Sequence, residues 1–265
     1  MIRNDRGVAL LIALLVTTLL IALVFEFAYG TRISLRAAVN FRDSQRASYL
    51  ARSGVNFVGK LLSENLKQGK KQANLEQRDW QVVPIVSAGD MELRIRWEDE
   101  AGKINIASLS TGQQSLVRLA RLFEIKQVSQ DVLEQLKEKK KIRLLGELHR
   151  LMSDEEFGRI KEYVTVWTGD IVDINTASSE VLQSLGMSAS LASLIREKQT
   201  AEPFTTREMI ANYPGMDPTT SSWLDLTSDV FLVHSYATVG GYTKQAEAVI
   251  KRNNAGYTIL YWRIV

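Results

Sequence analysis

The chain has 265 residues, 45% of them hydrophobic and 24% charged, enough for one large or two small domains with a real apolar core. It contains no cysteine and only two histidines, His149 and His234, which excludes disulfide staples, thiolate metal sites, cysteine nucleophiles and a histidine-rich metal centre. The net charge of +3 is unevenly spread: residues 1–70 carry ten basic and four acidic side chains, whereas residues 163–225 carry three and eight, a local balance of −5. No polycationic face emerges, and the basic excess is a weak argument for a nucleic-acid partner.

Val8 to Phe25 is an uncharged run of eighteen residues, mostly Leu, Val, Ile and Ala. As a helix it spans about 27 Å, close to the hydrocarbon thickness of a bilayer. The stretch from Glu26 to Arg36 offers no small-residue cleavage site, so the run reads as a retained single-span anchor and not as a secretory signal. Arg3 and Arg6 precede it, which places the N-terminus in the cytoplasm and the rest outside. From Arg32 to Leu66 there is no proline, and apolar residues such as Leu35, Val39, Leu50, Val55, Val58 and Leu62 recur at roughly helical spacing. Arg32/Arg36 and Arg42/Arg46 are both i, i+4 pairs. The spacing predicts one helix of nearly sixty residues, half in lipid and half outside, weakened but not broken by Gly54 and Gly59.

Residues 81–103 read as two strands joined by a turn at Ala88-Gly89-Asp90. Met91, Leu93, Ile95 and Trp97 alternate with Glu92, Arg94, Arg96 and Glu98, the signature of a half-buried strand. Residues 105–225 are helical in pattern, with amphipathic stretches at 115–124 and 131–152. Lys139-Lys140-Lys141 belongs to a solvated face. Residues 228–265 read as three strands, turning at Gly240-Gly241 and at Asn253-Asn254-Ala255-Gly256. The economical architecture is α+β: a long helix packed on one antiparallel sheet, with a large helical domain inserted into the sheet.

Within the helical part, Asn175 or Thr176 is placed to cap a helix starting near Ala177. Leu185-Gly186-Met187-Ser188 and Pro214-Gly215-Met216-Asp217 then resemble the two hairpins of a tandem helix-hairpin-helix (SAM-like) module. In DNA-binding modules of that kind, hairpin amides at a helix N-terminus hold a phosphate. Here Ser188 and Asp217 replace the second glycine of each hairpin, a carboxylate at Asp217 repels phosphate, and the local charge is negative. DNA binding is not the expected role.

The pieces together resemble the minor pseudopilin K family of bacterial type II secretion systems. The resemblance rests on the Arg6-Gly7 leader with its apolar helix, EDEAGKINI at 98–106, INTASSEVL at 174–182, PFTTREM at 203–209, YPGMD at 213–217 and SDVFLV at 228–233. It implies a pilin-like organisation: leader 1–7, helix 8–66, a β domain from 67–104 and 226–265, and an inserted helical domain at 105–225. It also implies that a prepilin peptidase cuts after Gly7 and that Val8, the new first residue, is N-methylated. The protein would then sit in the inner membrane with its C-terminal domain in the periplasm. The implied partners are minor pseudopilins of I and J type, the major pseudopilin and the inner-membrane secretion platform.

Most pilin-like proteins carry a glutamate five residues into the mature chain, where it pairs with the amine of an adjacent subunit; the equivalent position here is Ile12. Lacking the carboxylate, the subunit cannot neutralise a neighbour's amine, yet can offer its own, which implies a cap and not a repeating unit. The chain departs from the family at an acidic segment that binds calcium in other members: around Trp167 it offers only Asp170 and Asp173. Calcium takes about six to eight oxygen ligands, so no bound metal or other cofactor is expected. No nucleophile elbow, phosphate-binding glycine loop or metal-ligand spacing marks an enzyme, and His149 and His234 read as surface or satisfied residues. The alternatives left open are a minor pilin of a related type IV pilus and a membrane-anchored DNA-uptake protein.

Overall fold

The computed structural model describes residues 5–68, 77–83, 90–107, 113–139, 141–226 and 228–264. Arg3, Lys140 and the Ala88-Gly89 part of the first turn lie outside them. Helix α1 (Asp5–Lys67) is continuous over 63 residues. It is followed by β1 (Gln77–Val82) and β2 (Met91–Asp99). β1 therefore begins four residues before the apolar cluster that suggests it. Trp80 packs edge-on against Tyr236 at 4.8 Å, and this aromatic contact carries the earlier residues into the sheet.

The inserted part runs through β3 (Ile104–Asn105), α2 (Gln113–Lys126), α3 (Asp131–Glu138), α4 (Leu145–His149), α5 (Asp154–Ile160), β4 (Val164–Thr165), β5 (Val172–Asp173), α6 (Ser179–Ser184), α7 (Ala189–Ala201), α8 (Arg207–Ala211), α9 (Pro218–Ser221) and β6 (Leu224–Asp225). Two small parallel pairs, β3 with β4 and β5 with β6, stitch segments that the helical pattern alone does not distinguish. The amphipathic stretch 131–152 is two helices, not one. The chain turns extended at Lys139, and buried Ile142 folds back so that its N–H donates to the Ala107 carbonyl. The part has its own core, including Leu119, Leu122, Phe123, Leu182, Ile195 and Phe204, each fully or almost fully buried.

The chain then returns through β7 (Val230–Val239), β8 (Tyr242–Asn253) and β9 (Gly256–Ile264). The five-stranded sheet has the order β1-β2-β7-β8-β9, with every neighbouring pair antiparallel. Gly240 and Gly241 have φ of +55° and +84°, the paired positive values of a type I′ hairpin, and hold Val239 opposite Tyr242. The second hairpin pairs Asn253 with Gly256, and the Asn253 side chain accepts from the Ala255 and Gly256 amides. Ala51, Val55, Val58 and Leu62 of α1 recur every three or four residues and bury against Leu93, Ile95, Phe231, Val233, Ala246 and Ile250. The molecule is a long apolar helix on an antiparallel sheet, with the helical part inserted between β2 and β7.

Candidate assembly surface

The two halves of α1 behave oppositely. Its second half buries a stripe on the sheet, whereas its first half packs on none of the described residues: the apolar window that is long enough to cross a membrane is entirely exposed. Val8 is 57% and Ile12 59% exposed, one helical turn apart, and Leu10, Leu14, Leu19, Ile21 and Leu23 are open as well. An apolar surface of this size is strongly unfavourable in water, at roughly 25 cal/mol per Å2, and suits contact with lipid or with other apolar helices. The helix is consistent with a single-pass membrane anchor. Gly7 lies inside the helix, so its bond to Val8 is held in helical backbone.

At the other end, the EDEAGKINI stretch joins sheet to insertion through buried polar groups. Asp99, 2% exposed, accepts from the Ala101 amide at 2.9 Å and from the Thr176 hydroxyl at 2.7 Å. Gly102 lies so close to the Thr176 backbone that an added Cβ would sit 2.7 Å from its carbonyl carbon. The Asp173 amide donates to the Ala101 carbonyl. Arg252 of β8, 1% exposed, donates to the Ser228 carbonyl at 2.8 Å and to the Leu62 carbonyl of α1 at 3.3 Å. Burial pulls its guanidinium down from the usual arginine range, and the charges of Asp229, Asp99 and Asp173 oppose that. One buried cation thus gathers the end of the long helix, the return strand and both edges of the insertion.

Asn175 and Thr176 do not cap the next helix. Ser178 does, accepting from the Val181 amide at 3.2 Å. Asn175 instead reaches the α7–α8 loop, donating to the Phe204 carbonyl and accepting from the Phe204 amide, both at 2.9 Å. Thr176 serves Asp99. Sequence spacing could not separate a cap from a bond to a residue 29 positions away.

The two hairpins are formed as the sequence suggests, between α6 and α7 and between α8 and α9, with Gly186 and Gly215 at positive φ. The residues that replace the second glycines are helix caps. The Ser188 hydroxyl accepts from the Leu191 amide at 3.2 Å, and the Asp217 carboxylate accepts from the Thr220 amide at 3.0 Å. In each hairpin a side-chain oxygen thus already engages one of the helix N-terminal amides that an anion would need.

The loop that the family resemblance associates with calcium lies between β4 and β5. Asp170 is exposed, while Asp173 is 3% exposed and accepts from the Asn175 amide at 2.8 Å. Among the described residues no group of three or more acidic or histidine side chains converges as a metal cage would. The residues here do not fit the ion. Of the histidines, His149 stacks on Phe157 and meets Asp154 at 2.7 Å, and half-buried His234 lies beside Gln245 in the sheet.

A chain in the crystal structure of the GspK–GspI–GspJ complex from the enterotoxigenic Escherichia coli type 2 secretion system matches with a TM-score of 0.71. The match covers 86% of this chain and 99% of that chain, at 17% sequence identity. No protein-family model matches the chain, and no curated protein matches it. The fold is therefore pseudopilin-like: a long apolar N-terminal helix on an antiparallel sheet.

Proposed function

We propose that the protein is a minor pseudopilin of the K type, which initiates and caps the periplasmic fibre of a type II secretion system. The observation that carries this reading is the match, at a TM-score of 0.71, to a chain of a GspK–GspI–GspJ complex across nearly all of that chain's length. The exposed apolar half of α1 supports it, since such a surface fits both a bilayer before assembly and neighbouring helices afterwards. On this reading a prepilin peptidase cuts between Gly7 and Val8, and Val8 is N-methylated. Its partners are I- and J-type minor pseudopilins, then the major pseudopilin and the inner-membrane platform. Ile12 gives the direction: with no carboxylate there, the subunit offers its own amine downwards and accepts none from above. The filled hairpin caps at Ser188 and Asp217 speak against the DNA-uptake alternative.

Mass spectrometry of the protein from cells containing a prepilin peptidase tests the reading. The expected product lacks residues 1–7 and carries a methylated Val8. An intact Met1 would overturn it.

A further inference from the structure

Arg118 of α2 is 6% exposed, and its guanidinium lies 3.7 Å from the centre of the Trp223 ring. One terminal nitrogen donates to the main-chain carbonyl of Asp170 at 2.8 Å. The loop it reaches is tied at two further points. Asn105 Nδ2 donates to the Thr168 carbonyl at 2.7 Å, and the Val172 amide donates to the carbonyl of Trp223, the residue under the guanidinium. Asp173, the second acid of the segment, points inward to the Asn175 amide and lies near the buried charge of Arg252. Each aspartate of the segment is thus placed near an arginine of the same chain, and the loop's carbonyls are held by side-chain nitrogens.

We propose that Arg118, seated on Trp223, does for this loop what a calcium ion does in the family the sequence resembles, so that the fold is calcium-independent. This rests on the pseudopilin reading for the comparison, but the behaviour it foresees belongs to this chain alone. A cation held by covalent attachment is always at full occupancy, whereas a bound metal stabilises only in proportion to its free concentration. The guanidinium satisfies one carbonyl and stacks on an aromatic face, a geometry that neither a lysine nor a metal ion reproduces. The bond goes to the Asp170 backbone, and the exposed carboxylate, screened by solvent, adds little to it. In a calcium site it would be a principal ligand.

The test uses the full chain in detergent micelles. Thermal unfolding midpoints are expected to coincide in EDTA and in millimolar calcium, and terbium, a luminescent calcium substitute, is expected to show no saturable emission sensitised through Trp167 or Trp223. Asp170→Ala is expected to leave the midpoint unchanged. Arg118→Met is expected to lower it by several degrees, equally with and without calcium. A calcium-dependent rise in the wild-type midpoint, or saturable terbium emission, would overturn the proposal even if Arg118→Met fails to fold. A wild-type midpoint for Arg118→Met would overturn it as well. None of these outcomes bears on cleavage at Gly7, so this idea and the pseudopilin reading fail separately.

Discussion

Gly54 of the long helix sits directly on Ser235 of the central strand. An added Cβ would collide with the Ser235 hydroxyl and would lie 3.1 Å from both Leu93 and Ile95. In an open helix Gly→Ala stabilises by about 0.5–1 kcal/mol. Here the overlap reverses the sign, since forcing a methyl into a packed core costs about 1–3 kcal/mol. Gly54→Ala is expected to lower the stability of the full chain by about 1–2 kcal/mol in denaturant unfolding. Gly30 has nothing within 4 Å, and Gly30→Ala is the control, expected to be neutral or stabilising.

The Asp217–Thr220 hydrogen bond leads to a prediction about nucleic acid. Restoring the hairpin glycine with Asp217→Gly removes the carboxylate, and the loss of the cap oxygen is expected to cost only a few tenths of a kcal/mol. The surrounding charge balance of −5 becomes −4, still without electrostatic footing for a duplex. Neither the wild type nor the variant is expected to retard duplex DNA in a gel shift. Tight, salt-sensitive retardation by the wild type would revive the DNA-uptake reading.

Asn175 holds both polar groups of the Phe204 backbone in a buried setting. Asn175→Ala leaves a buried amide and a buried carbonyl unpaired, each worth about 1–3 kcal/mol, so a loss of about 2–6 kcal/mol is expected. Thr176→Val removes the hydroxyl that donates to Asp99, and is expected to cost less because the Ala101 amide still serves that carboxylate. Urea unfolding of the two variants side by side checks the order.

His234 makes the fold sensitive to mild acid. Burial holds its imidazole below the ordinary 6.5, and the Arg96 charge lowers it further; Glu247 and Glu98 pull the other way, and Lys103 adds to the lowering. Gln245 Nε2, which has only protons to give, faces His234 Nδ1 at 3.4 Å, a contact that favours the unprotonated ring nitrogen. Above 6.5 both folded and unfolded chains carry a neutral ring. As the pH falls through 6.5 the unfolded chain takes up the proton first, so stability is lost from there down to the folded value. The unfolding midpoint is expected to drop between about pH 7.5 and about pH 5.5, and to drop less in His234→Gln.

The sheet and the long helix were legible because each is repetitive. Leu93 and Ile95 alternate with charged neighbours and do bury against α1, and Gly240-Gly241 makes the turn that its residue types demand. The hairpins were legible through Gly186 and Gly215. The break between α3 and α4 was not, because the apolar period runs on through it, while the contact of Ile142 with Ala107 and the Glu147 carboxylate on the Arg143 and Leu144 amides mark it only in the folded chain. Asn175 looked like a cap because caps and long-range side-chain bonds use the same residue types. Arg118 and Arg252 carry no local signal at all, since their partners lie 52 and 190 positions away. The joint between sheet and insertion is made mostly of such pairs.

Val8 and Ile12 are separated by four residues, so both side chains lie on one face of the exposed helix, one turn apart. After cleavage at Gly7, Val8 would carry a positive amine in apolar surroundings, where an uncompensated charge is unfavourable by at least about 2.5–3.5 kcal/mol. A neighbour's carboxylate relieves that. Ile12 cannot return the favour to another subunit, and on the proposed reading this one-sidedness suits the chain to a fibre end. Ile12→Glu supplies the missing carboxylate and is expected to let subunits add on both sides, changing fibre length or lowering secretion. Ile12→Leu keeps the apolar face and is expected to behave as wild type. Fibre length by electron microscopy and export of the natural substrates measure the outcome. Wild-type fibres and export from Ile12→Glu, at normal protein levels and with normal cleavage, would remove the charge argument for a tip position.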